Sequence, residues 1–395
     1  MRPQSTAPNH SSRTPIALWN LGFRPFYLLA SVFSAGGILV WLAEYSGHIP
    51  SDAYLRGPIW HAHEMMFGFT LAVVAGFLLT AVRAWTQRPT PTGWPLAGLA
   101  ALWILGRVLV LTPYGGAAAA ANVAFPLAIA VAIARPLIQS GNRRNYFFIG
   151  LLVFLSAAML ALHLSLLGLL PLSPTFSLQA GLDALLFLLV VMGGRVIPMF
   201  TNNGAPKAQA RRLRWVEAVA PGCILVLLAA DLLVAPPTVI AGVAAACALI
   251  HAIRLAWWHP WRTVHVPLVW ILHAGYAWIV VHLVLRALAI DGLMTGVFAI
   301  HALTVGAIGS FTLGMMTRTA LGHTARPLQA GKLELACFVL VQMAAIIRVF
   351  GGIFISGERG LTVLVSAVLW AAAFGLYATG YWPILSRPRL DGKPG

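Results

Sequence analysis

The chain has 395 residues, of which 59% are hydrophobic and only 9% charged, and its mean hydropathy is +0.84. Soluble globular domains carry about 25% charged residues, so this composition excludes a soluble enzyme, a disordered chain and a nucleic-acid binder. The formal charge of +16 would point to nucleic acid in a soluble protein; here its distribution along the chain reads as membrane topology.

Residues 1–20 form a polar N-terminal tail. No short apolar core with a small-residue cleavage site follows it, so the tail is read as cytoplasmic and uncleaved. Apolar runs then lie at 25–46, 59–82, 95–112, 116–138, 146–170, 176–199, 215–234, 237–258, 264–287, 294–317, 332–355 and 361–385. Each is roughly 18–25 residues, long enough to span a bilayer, where the backbone must be helical to satisfy its own hydrogen bonds. Breaks fall at Gly, Pro, Asn and basic clusters. The expected fold is all-α: a polytopic membrane protein with a twelve-helix domain over 21–386 and a short cytoplasmic tail over 387–395.

Orientation follows from Lys and Arg. With the N-terminus inside, the outer side keeps Arg56, Arg107, Arg286, Arg348 and Arg359, leaving 21 of the 26 basic residues at the cytoplasmic side. Arg24, Arg195, Arg254 and Arg318 count in that cytoplasmic set. The bias predicts N-in, C-in and an even number of spans. Runs such as Arg211-Arg212-Leu213-Arg214 read as contacts to anionic lipid heads. There is no strong internal repeat of the kind seen in inverted-repeat transporters. Cys223, Cys247 and Cys337 lie scattered in apolar runs without a CxxC pair, which suggests neither a disulfide framework nor a zinc knuckle.

Ionisable residues inside bilayer spans are costly, and each is a functional candidate. The second span enters from outside with Trp60-His61-Ala62-His63-Glu64, the fifth carries His163, the ninth His273 and His282, and the tenth His301. At ~1.5 Å per residue, His61, His63, His163, His282 and His301 fall in the outer half of the membrane, with His273 nearer the middle. Glu64, Asp183, Arg107, Arg286 and Arg348 map to the same half or its edge. Neutral imidazole suits haem iron, copper and zinc. His61 and His63 stand about 200° apart on a regular helix, so they cannot share one metal but can serve two centres on opposite faces. His273 and His282 also take opposite faces. Two adjacent metal centres are therefore favoured over one.

Arg107, Arg286 and Arg348 are candidates to grip haem propionates, because arginine holds carboxylates bidentately. Arg286 lies one turn beyond His282, where ligand and clamp could act together. Glu64 and Asp183 could orient a ligating histidine, relay protons or form structural salt bridges. Interhelical hydrogen bonding is the plainer reading for His163, His251, His259 and His265, although depth keeps His163 among the metal candidates. His323 reads as structural or regulatory, and His48 as a solvated loop residue.

Four motifs carry a resemblance. Phe23-Arg24-Pro25-Phe26-Tyr27-Leu28 opens the first span, and Trp60-His61-Ala62-His63-Glu64-Met65-Met66-Phe67-Gly68-Phe69 the second. Gly193-Gly194-Arg195-Val196-Ile197-Pro198-Met199-Phe200-Thr201-Asn202-Asn203 closes the sixth. His301-Ala302-Leu303-Thr304-Val305-Gly306-Ala307-Ile308-Gly309 leads to Leu321-Gly322-His323-Thr324-Ala325-Arg326. In this order they resemble the NnrS family of bacterial inner-membrane proteins, over nearly the whole chain. The resemblance implies twelve helices, haem and copper, and a role in the response to nitric oxide, often in denitrifiers. His61, His63, Glu64, Arg195, His301, Arg318 and His323 match its motifs; His163, His273 and His282 do not and rest on depth and helical face alone.

The expected function is nitric oxide defence in the inner membrane. Two b-type haems, or a haem and a copper, would reduce NO to N2O near the periplasmic side. Electrons would come from membrane quinol, since no CxxCH haem motif or soluble redox domain is present. The rival readings are a non-catalytic haem and copper protein that senses or protects against nitrosative stress, and a transporter.

Overall fold

The structure is a computed structural model that describes residues 16–49, 53–289, 296–355, 357 and 359–393. Most of the expected N-terminal tail lies outside the described residues. The chain runs up and down as α1 (Phe23–Tyr45), α2 (Gly57–Thr86), α3 (Gly93–Leu109), α4 (Gly115–Gln139), α5 (Arg143–Leu166) and α6 (Pro174–Gly204). It continues as α7 (Arg214–Leu232), α8 (Pro237–Arg262), α9 (Pro267–Leu288), α10 (Gly296–His323), α11 (Lys332–Phe354) and α12 (Arg359–Ser386). Among the described residues, eleven of these helices are long and apolar enough to cross a membrane, and α3 is a shorter apolar helix at the third expected span. The protein is therefore all-helical and multi-pass.

Local chemistry sets the helix ends. Proline occupies the first turn of α2, α6, α8 and α9, where its missing N–H costs nothing. Gly57 takes φ +59°, and its N–H donates to Glu44 Oε1 at 2.8 Å, tying the end of α1 to the start of α2. Neighbours in sequence pack side by side, and α12 returns against α1 to close the bundle. One continuous apolar core runs through it. Helix α2 is buried over most of its length, whereas α7 and α8 show most of theirs to the outside.

Three helices contain a π-helical segment: Glu64–Thr70 in α2, Ala302–Ile308 in α10 and Ile347–Gly351 in α11. Such insertions are rare and are frequently found at functional sites. Here the first begins directly after His63, the second directly after His301, and the third contains Arg348. All three lie toward the end of the bundle where α2 and α10 begin, called the histidine end below; the opposite end is the basic end.

Candidate metal centre

His63 is fully buried at the last α-helical position before the α2 π segment. Its Nδ1–H donates to Glu64 Oε1 at 2.7 Å, and the same oxygen lies 3.2 Å from Arg107 Nη1 on α3. Arg107 also donates to Asn122 Oδ1 on α4, whose amide donates to the carbonyls of Ala118 (2.9 Å) and Gly106 (3.3 Å). Gly68 makes this possible: a Cβ there would stand 2.2 Å from Arg107 Nη1. Across the interface, His163 on α5 is fully buried, and its ring centroid lies 5.1 Å from that of His63. The Tyr54 hydroxyl donates to the His163 carbonyl (3.3 Å), leaving its oxygen to accept from His163 Nδ1–H (3.1 Å). Tyr54 lies in the loop before α2, and burial pushes its phenol up to about 12, so it stays protonated and holds this bond.

A carboxylate or carbonyl only accepts, so it fixes the proton on Nδ1 and leaves Nε2 a lone pair, the form that binds metal. His63, His282 and His301 all meet this condition. His282 Nδ1–H donates to the Ala299 carbonyl and His301 Nδ1–H to the Val297 carbonyl, both at 2.7 Å. Among the described residues, the Nε2 atoms of His63, His163 and His282 are buried without any hydrogen-bond partner. An unsatisfied buried polar atom costs about 1–3 kcal/mol, and a metal would remove that cost. The spacing of His63 and His163 also fits one ion. The rings stand T-shaped with planes 73° apart, and each would offer a neutral ring nitrogen to a shared metal. Among the described residues no three His, Cys, Asp or Glu side chains converge as a ready metal cage; the imidazoles come in pairs.

His61 faces the other way. Its ring stacks on Trp41 of α1 with centroids 4.7 Å apart, and its Nδ1 is buried and unpartnered. His61 and His301 lie within electrostatic range of each other, and Arg348 of α11 acts on both. Arg348 makes no ion pair among the described residues.

The other expected site residues lie apart from these pairs. Arg286 is held by Asp183 of α6 (2.9 Å) and by Asp231 of α7, and Gln179 donates to Asp183 at 2.9 Å. Two carboxylates face one guanidinium, so the trio carries a surplus negative charge unless it binds a proton; Asp183 Oδ2 has no partner. Arg107 and Arg286 are thus already engaged by carboxylates, whereas Arg348, of the three expected clamps, meets no carboxylate among the described residues. His273 does not join the histidine end. Its Nε2 meets the Thr201 hydroxyl at 2.8 Å near the close of α6.

Several features escaped the sequence. Arg254, read there as a topology signal, is buried and paired with Glu217 of α7 through bonds of 3.2 and 2.5 Å. It also donates to Tyr276 (3.0 Å) and to the Val190 carbonyl (3.0 Å). Tyr276 in turn bonds His251 Nδ1 at 2.6 Å, and His251 Nε2 lies 3.7 Å from Cys223 Sγ, the interhelical role expected of this histidine. Gly194 clears the space, since a Cβ there would stand 1.8 Å from Arg254 Nη2. The paired glycines before Arg195 were the available signal. Arg195 itself braces the α4–α5 turn, donating to Asn145 Oδ1 at 2.7 Å and lying 5.0 Å over the Phe147 ring.

The profile of the NnrS protein family matches residues 17–389. The chain belongs to the NnrS family. As an NnrS protein it carries the four expected motifs within one matched region, and membership suggests a role in the nitric oxide response. The comparison with curated proteins gives no match.

Proposed function

We propose that this NnrS protein is an inner-membrane metalloprotein of nitric oxide defence with two metal centres on opposite faces of α2. The observation that carries this reading is the pair of buried imidazoles, His63 and His163, with both Nδ1 atoms held and both Nε2 atoms free. This pair would hold a single ion, for which copper suits a two-imidazole site. His61 and His301 would hold a haem, with Arg348 as the cation for its propionates. His282, with its free Nε2, is the further candidate ligand.

The bound metals would supply the redox chemistry of NO reduction, in which two NO, two electrons and two protons give N2O and water. The chain's own residues supply the rest. Glu64 orients His63 and fixes its tautomer, and Arg107 neutralises Glu64 in the buried site. Asp183, whose Oδ2 has no partner among the described residues, would be the group that relays protons. Electrons would come from a membrane quinol. Counting α3 as the twelfth span gives both termini inside and the histidine end at the periplasm, in keeping with the basic bias.

The test is anaerobic NO consumption by the purified protein with a quinol donor, alongside metal and haem analysis. NO loss that depends on quinol and yields half an equivalent of N2O supports the reading. Full metal loading without turnover would leave a protective or sensing metalloprotein. A metal-free protein would turn the interpretation toward transport.

A further inference from the structure

The basic end of the bundle gathers cations that the metal centres do not use. Arg24, the second residue of α1, is fully buried. Its Nη1 donates to the carbonyls of Leu385 (2.9 Å), Arg387 (2.7 Å) and Ile384 (3.5 Å), capping the end of α12. Its Nε and Nη2 are buried and have no partner among the described residues. Arg326, in the turn after α10, likewise has a buried Nη1 with no partner among the described residues. Arg24 feels the charges of Arg326 and Arg389, and Arg326 that of Arg387. His323 lies within range of Arg24 and Arg389. The C-terminal segment closes this corner: Leu390 N–H donates to the Thr324 carbonyl at 3.2 Å and Arg389 Nη1 to the His323 carbonyl at 2.9 Å.

Among the described residues, carboxylates do not answer this charge. Asp391 is bound to Arg389 at 2.8 and 2.9 Å. Glu334 accepts from the Tyr381 hydroxyl and the Gly331 N–H. Neither touches Arg24 or Arg326. Guanidinium N–H groups that are buried, unpaired and beside like charges are costly. An oxyanion satisfies them, since its several acceptor oxygens match the arginine fork.

We propose that Arg24 and Arg326 form a binding site for a phosphate oxyanion, between the start of α1 and the turn after α10. The phosphate can belong to an anionic phospholipid headgroup at the membrane surface or to free phosphate. The site accounts for the arginines of the Phe23-Arg24-Pro25-Phe26 and Leu321–Arg326 motifs without assigning them to redox chemistry.

The experiment is thermal unfolding of the full-length protein with two probes. In detergent, inorganic phosphate is titrated against chloride of matched ionic strength. In lipid nanodiscs, phosphatidylglycerol is compared with phosphatidylcholine. A saturable rise in Tm with phosphate assigns a free-phosphate site, and a rise with phosphatidylglycerol alone assigns the headgroup. Arg326→Gln leaves the α12 cap intact, and it should raise the apparent Kd about tenfold, the loss expected for a charge-assisted bond. Arg24→Lys, which keeps the charge but loses the fork, should weaken binding in the same direction. No stabilisation by either probe, or equal stabilisation in Arg326→Gln, would overturn the proposal.

Discussion

His63 and His163 face each other from α2 and α5 with ring centroids 5.1 Å apart, and each is held by its Nδ1 atom. The holding groups differ: a carboxylate for His63 and a phenol for His163. Both imidazoles are therefore oriented before any ligand arrives, and that preorganisation is what makes the pair testable.

Glu64→Gln should weaken metal binding at this pair about 10–100-fold, the usual effect of removing the carboxylate behind a ligating histidine. It also strips Arg107 of its counter-charge, so the variant should lose about 3–5 kcal/mol of stability. Metal content after dialysis at graded chelator concentrations, read beside Tm, separates the two effects.

Tyr54→Phe should loosen His163 without adding a buried charge. Burial raises the Tyr54 pKa in the folded state above its value of about 10 in the unfolded chain, to about 12. Its contribution is therefore fully present below about pH 10 and is lost as pH rises toward about 12. The difference in Tm between wild type and Tyr54→Phe should stay constant through neutral pH and shrink in that alkaline window.

Arg348→Gln should release haem while sparing the metal at His63 and His163, because the charge of Arg348 acts on His61 and His301. Haem absorbance and metal analysis on one preparation check this. Equal loss of both cofactors would argue against separate centres.

Gly194→Ala tests a structural feature remote from the proposed chemistry. The added methyl would collide with Arg254 Nη2, and that side chain cannot swing away without breaking its bonds to Glu217, Tyr276 and Val190. A loss of about 3 kcal/mol or more is expected, as for a broken buried ion pair, with cofactor content unchanged in the folded fraction.

Much of the architecture was legible because bilayer physics leaves few options. Apolar runs of spanning length had to become helices, and the observed helices fall on the expected runs, with α3 the shortest. The opposite faces of His61 and His63 follow from helical geometry alone, since both precede the π segment. Which partner each would meet did not follow. Tyr54 sits in a loop, Trp41 reads as ordinary core, and π segments leave no periodic signature in an all-apolar run. Arginines were the hardest to read. Positive-inside counting treats Arg24 and Arg254 only as markers of the cytoplasmic side, but both are buried and bonded to specific groups. A charge count records the side of the membrane, whereas burial depends on partners contributed by distant helices.

The central claim is that α2 separates two metal sites. Metal and haem content of the purified wild type and of His61→Ala, His63→Ala, His163→Ala and His301→Ala tests it most directly. Two complementation groups are expected: His63→Ala and His163→Ala should lose one metal and keep the haem, and His61→Ala and His301→Ala should do the reverse. Loss of the same cofactor in all four variants, or of none in any, would contradict the account.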